Sequence, residues 1–273
     1  MRLPTTFLAR VVAMAHLPVI ATCMLLAQPA LAQPAADSPS ASSWALGVGA
    51  MTRQKAYAGI DRDNMAIPFV QYENRYVSIM GPQIGFKLLS LDLAPSQSLN
   101  FDLVARYDGS GYDDDDIEDT PILAGMRERK SGFWAGARIE WKTDWVDVSA
   151  EALGDASGNS KGKRFNLGVE KTWHIGERLM ITPRVAANWQ DKKYVDYYYG
   201  VRADEARAGR AAYRGDSGVN AEVGIRAMVM FDARHSAFVD LEVSTLAKEI
   251  KDSPLVDRST ENRVVLGYLY RFR

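Results

Sequence analysis

Apolar residues return at every second position through most of this chain, and the positions between them are polar or small. In 219–229, Val219, Ala221, Val223, Ile225, Ala227 and Val229 alternate with Asn220, Glu222, Gly224 and Arg226. In 263–273, Val264, Leu266, Tyr268, Tyr270 and Phe272 fall on one side of an extended chain. Arg263, Arg271 and Arg273 fall on the other, with Val265, Gly267 and Leu269. Successive side chains of a strand point to opposite faces, so a period of two predicts strands with one apolar and one polar face. The same alternation predicts strands at 44–50, 70–79, 84–91, 101–107, 133–141, 146–152, 165–169, 179–189 and 239–243. Pro183 lies inside one of them and should mark a bulge or an interruption, because it has no N–H to give a ladder. Gly81-Pro82 and Lys142-Thr143-Asp144 read as turns, and 154–162 as a polar loop.

Aromatic residues often end the apolar faces, while Glu and Arg recur together on the polar ones. That combination fits an all-β, antiparallel transmembrane barrel: aromatic girdles at two lipid interfaces, a polar interior, and closure because an unpaired edge is costly in hydrocarbon. A soluble β-sandwich shares the alternation but not the reason for the aromatic ends. The count reaches about eleven strands, whereas single-chain bacterial barrels have an even number. Twelve is the preferred reading, with 193–201 as the missing strand; losing a weak early strand would leave ten.

The first residues are a separate matter. Arg2 and Arg10 flank or precede an apolar stretch at 11–26, and Ala30-Leu31-Ala32 is a small-x-small cleavage site, so 1–32 reads as a secretory signal. Initiation at Met14 would leave a shorter signal. A retained anchor, or a lipoprotein through Cys23, is the rival reading. Residues 33–43 form a flexible lead rich in Ala, Pro and Ser, and 44–273 a single barrel domain. Cys23 is the only cysteine, so the exported chain would carry no thiol and no disulfide. The whole chain has a net charge of -1, and removing Arg2 and Arg10 makes it about -3, which does not favour nucleic acid as a partner. No stretch beyond the signal is long and apolar enough for a helical span, and barrel strands do not need one.

Several strings resemble the MipA/OmpV family, named for MltA-interacting protein: WALGVGAM at 44–51, the segment 57–89, the segment 101–137, YYYGV at 197–201, SPLVD at 253–257 and LGYLYRF at 266–272. The resemblance covers essentially the whole exported chain. It implies an outer-membrane barrel of a Gram-negative bacterium, embedded in lipid. It also implies a scaffold that joins a lytic murein transglycosylase to a murein synthase; adhesion, osmotic response and antibiotic passage are further roles in the family. It brings no catalytic residues and no cofactor. A small channel or uptake barrel for polar solutes is the alternative function, and adhesion or surface reception the third.

The densest charge is Asp113, Asp114, Asp115 and Asp116, followed by Glu118 and Asp119. Carboxylates suit Ca²⁺ or Mg²⁺, but these are consecutive rather than spaced as in a calcium loop, so a solvated loop is expected. Tyr107, Tyr112 and Arg127 are candidates for folding it inward as a partner-binding or lumen-narrowing loop. His174 and His235 are the histidines left after export, and His235 and its neighbour Ser236 would point to opposite sides. That gives no base poised against a nucleophile, and the reading is of a protein that is not an enzyme. No HExxH string supports a zinc protease, and no GxSxG string supports an α/β-hydrolase. Arg138, Glu140, Glu151, Glu170, Arg184, Glu222, Arg226, Asp240, Glu242 and Arg271 are expected to face the interior, as a structural ionic core or the lining of a narrow aqueous route. Tyr197-Tyr198-Tyr199 is expected in a belt or packed in a loop, and Gly109, Gly111, Gly200 and Gly209 in turns.

Overall fold

The computed structural model describes residues 42–272, which close into an antiparallel β-barrel. Its strands are β1 (Ser43–Gln54), β2 (Asp63–Glu73), β3 (Val77–Met80), β4 (Gln83–Ala94), β5 (Gln97–Asp108), β6 (Gly132–Lys142) and β7 (Asp147–Asp155). They continue with β8 (Lys163–Glu170), β9 (Trp173–Ile175), β10 (Leu179–Gln190), β11 (Gly218–Met230), β12 (His235–Thr245) and β13 (Thr260–Arg271). β1 pairs back to β13 and β10 pairs to β11, so the ring closes.

β8 and β9 are two halves of one wall strand. Glu170 lies opposite Arg184 and Trp173 opposite Ile181, a single unshifted register. The break falls at Pro183: Lys171 N donates to Pro183 O at 3.2 Å, and Pro183 has no N–H to return. The described residues therefore build a twelve-stranded wall. Pro183 interrupts the ladder without a bulge; the register shifts lie in β4, between Lys87 and Leu89 and between Asp92 and Ala94.

The two faces of the wall follow the sequence alternation. Val48, Phe133, Val185, Val223 and Leu266 are exposed on the outer face, while Glu151, Asp240, Val265 and Leu269 on the inner parity are buried. Exposure of so many large apolar side chains suits lipid rather than water. Where the first and last strands meet, Trp44 stacks on Phe272 with ring centroids 4.3 Å apart. One end of the barrel has short turns. The other carries the long connections 55–62, 109–131, 156–162, 191–217 and 246–259. Outer-membrane barrels place short turns in the periplasm and long loops outside the cell.

The residues expected as the missing strand, 193–201, are instead mostly helix. α2 (Lys192–Tyr199) starts at Asp191, whose side chain accepts from Tyr194 N, and it buries Tyr194, Val195, Tyr198 and Tyr199. Those four sit at helical spacing on one face, which outweighs the strand preference of consecutive tyrosines. The missing strand lies earlier. The stretch read as one strand over 70–79 contains the end of β2, a turn and β3 up to Ile79. The Asn74 side chain makes that turn by accepting from Tyr76 N at 2.7 Å and Val77 N at 2.6 Å. β2 hid from the alternation because both of its faces are apolar, with Met65, Ile67 and Phe69 inside and Ala66, Pro68 and Val70 outside. The expected signal at 1–32 and nearly all of the lead at 33–43 lie outside the described residues.

Candidate functional site

Two ionic networks line the lumen on opposite stretches of wall. In the first, Glu151 is shared by two guanidinium groups, Arg106 and Arg138, each at 2.7 Å. Arg138 also donates to Gln83 Oε1 at 3.1 Å. In the second, Arg184 binds both oxygens of Asp240 at 2.9 and 3.0 Å and Glu242 at 2.8 Å. Arg226 Nε donates to Asp240 at 2.9 Å, Arg263 pairs with Glu242, and Asn188 donates to Glu222 at 3.0 Å. The pleat brings these residues together: Arg226 lies directly opposite Asp240, and Arg138 opposite Glu151. Gly224 makes room for the second network, since a Cβ there would stand 2.6 Å from Arg184 Cζ.

Seven of the ten residues expected inside thus meet in two clusters. Among the described residues Glu140 pairs with its strand neighbour Lys142, and Glu170 and Arg271 hold inward register positions outside both clusters. Arg106 and Arg263 were not among the expected interior set, though each shares the parity of its strand's polar face. That parity was the signal that finds them.

The long connections fold over one mouth as a cap with its own apolar core: Ala56, Tyr57, Ile60, Leu123, Met126, Tyr198, Val201, Ile250 and Leu255 are buried together. Trp134 and Tyr194 join it from the wall and from α2, and the Arg164 guanidinium lies 5.3 Å from each ring while pairing with Asp108. Arg129 and Glu205 form a buried bidentate pair at 2.8 and 3.2 Å. Burial alone would raise the Glu205 carboxyl. Hydrogen bonds from Arg129 and from the backbone N–H groups of Arg202 and Arg127 reverse that and hold it at about 2. Arg210 is equally buried, and its guanidinium is satisfied by carbonyls: Glu205 O at 2.6 and 3.1 Å, Ala124 O at 3.1 Å, and Ile122 O. The cap is thus a packed layer cross-tied by buried charge.

The acidic run lies on this cap. Asp113 caps the short helix α1 (Asp114–Asp119) through a reciprocal capping box with Asp116, which also pairs with Lys55 at 3.3 Å. The expected solvated loop is therefore helical, with no buried residue in the helix. Tyr112 is buried in the cap, whereas Tyr107 faces outward and Arg127 is exposed beside Asp204. The tyrosine triplet is loop packing, with Tyr198 and Tyr199 buried. His174 is exposed on β9; His235 meets the Tyr268 hydroxyl, and Ser236 takes the opposite parity. Gly158 to Gly162 does have the spacing of a hydrolase elbow around Ser160. Such an elbow joins a strand to a helix. Here it joins β7 to β8, and Ser160 Oγ donates to Asp155 at 2.9 Å to organise the loop.

A sequence profile described as MltA-interacting protein MipA matches residues 46–272. YiaT of Escherichia coli (strain K12), named as an outer membrane protein, is 29% identical, over 85% of this chain and 92% of its own. The MltA-interacting protein of the same organism is 25% identical, over 84% and 90%. Among solved structures, an outer membrane channel from Pseudomonas putida F1 overlays with a TM-score of 0.45 and 12% identity, covering 88% of this chain and 100% of that one. Strand pattern, closed wall and profile agree: the chain is an outer-membrane β-barrel and belongs to the MltA-interacting protein MipA family.

Proposed function

We propose that this barrel is a noncatalytic scaffold, anchored in outer-membrane lipid, that recruits murein-remodelling enzymes at its short-turn face. The observation that carries this reading is the asymmetry of the two ends. The long-loop mouth is covered by a packed core, and the lumen's principal charges are spent on one another. The short-turn end instead presents Tyr76 and Trp145 in turns and Phe231 beside one, all exposed, with Arg75 and Arg234 beside them. Exposed aromatics interleaved with arginine are the composition of protein contact surfaces. The name of the MltA-interacting relative adds a lytic transglycosylase as the first partner to test, and a murein synthase as the second. Crosslinking in intact envelopes followed by pull-down and mass spectrometry tests it, with an unrelated barrel as control. Enrichment of either enzyme supports the scaffold, and recovery of intact barrel with neither sinks it. The charged lumen supports a second reading, a narrow route for polar solutes. Discrete conductance in a planar bilayer would favour that reading; a sealed bilayer with demonstrated insertion would dismiss it.

A further inference from the structure

The wall has a notch on its long-loop side. β3 contains 4 residues between strands of 11 and 12, and the chain turns back at Gly81-Pro82. β2 pairs with β3 only at Gln71, Tyr72 and Glu73, and Gly81 N reaches Val70 O at 3.0 Å. Beyond Val70, from Phe69 back to Asp63, no strand among the described residues lies beside this edge. Antiparallel ladders alternate, so the edge that Val70 presents is also the edge of Pro68, Ala66 and Asn64. Pro68 stands in its middle without an N–H. A proline there makes a poor template for a pairing strand from another chain, which is how proteins blunt edges.

The inner surface beside the notch differs from the rest of the lumen. Met65, Ile67 and Phe69 form one inward row spanning about 13 Å at strand spacing. Phe69 meets Phe238 edge-on at 5.2 Å, over glycines where the rings leave no room for a side chain: a Cβ on Gly49 would be 2.5 Å from Phe69, and one on Gly267 would be 2.4 Å from Phe238. Met65 and Met80 have inward parity yet are 39% and 58% exposed, whereas inward Val265 and Leu269 are 8%. Two flexible thioethers therefore frame the opening.

We propose that the notch is a lateral binding portal for a single-chain amphiphile, of the fatty-acid class. The bilayer supplies such molecules on one side of the opening, and a single apolar row waits on the other. Backbone groups of Asn64 and Ala66, unpaired among the described residues, offer hydrogen bonds to a small polar head; the Arg53–Asp63 pair lies at the same end of β2. With the mouth capped, a sideways route is the one that this row serves. The proposal does not depend on any recruited enzyme.

The test uses the full barrel in amphipol, with folding checked by heat-modified mobility, and palmitic acid carrying a diazirine as probe. Photolabel should fall on Met65, Ile67 or Met80, and excess unlabelled palmitic acid should lower it by about tenfold. Met65→Trp, which fills the opening, should remove the inward label while leaving label on outward Val48 and Val185. An Ile67→Cys barrel, thiol-free elsewhere once the signal is removed, should react with a membrane-partitioned maleimide under the same competition. Label confined to outward residues, or inward label that competitor does not reduce, would overturn the portal.

Discussion

Arg129 and Glu205 lie 76 residues apart in sequence and meet inside the cap through two hydrogen bonds, each side chain withdrawn from solvent. The pair ties 109–131 to 191–217, the two longest connections, over the mouth of the barrel. Its loss should be felt in the cap and not in the wall. Arg129→Met or Glu205→Leu alone leaves an unpartnered buried charge and should weaken the cap by about 3–5 kcal/mol. The double variant should cost less than either single one, because no charge is then stranded. Amide exchange in 191–217 measures this, with β10–β11 amides as an internal standard. A double variant that costs the sum of the singles would mean that the residues are not coupled.

Glu205 also sets an acid limit for the cap. Its carboxyl is held at about 2 in the folded cap, below its ordinary 4.5. A depressed folded value contributes stability that is complete above the unfolded value and is lost as pH falls through the folded one. The cap should therefore keep this contribution at pH 6, lose it progressively below about 4.5, and lack it near 2. Protease access to 109–131 after brief acid exposure reads the effect. Glu205→Gln should flatten this part of the pH response; an unchanged profile in that variant would assign it to another group.

Gly224 should tolerate no side chain. Any Cβ meets the Arg184 guanidinium, the centre of the second lumen network. Gly224→Val should destabilise the barrel by at least about 1–3 kcal/mol from overpacking alone. Gly154→Ala is the matched control, since a Cβ there meets nothing within 4 Å. Urea unfolding in lipid vesicles compares them. Equal midpoints would show that Arg184 moves aside freely.

The wall was legible from the sequence because membrane strands need contrast between their faces, as Val219 to Val229 and its inward Glu222 and Arg226 show. Where contrast vanished, so did the signal: β2 is apolar on both faces and went unread as a separate strand. The lumen was half legible. Parity placed Arg184 and Asp240 on the inside, but their meeting depends on register across β10, β11 and β12, which no single strand encodes. The cap was illegible as a unit, because Tyr57, Leu123, Val195 and Ile250 come from four separate connections and form one core only after the wall has closed.

Parity itself can be tested on one pair of neighbours. Val185 lies opposite Val169 and Val223 on the outer face, and Ala186 lies opposite Gly168 and Glu222 on the inner one. Arginine on a lipid face near the bilayer midplane costs about 2–4 kcal/mol, falling toward the interfaces. Val185→Arg should therefore lower the unfolding free energy in lipid vesicles by roughly that amount. Ala186→Ser, which adds a hydroxyl to the polar side beside Glu222, should change it by under about 0.5 kcal/mol. Transfer to a short-chain detergent micelle should shrink the Val185→Arg penalty, because the guanidinium then reaches water along its flexible stem. If the two substitutions cost the same in vesicles, the outward row does not face hydrocarbon at that depth, and the inside and outside of β10 would have to be exchanged.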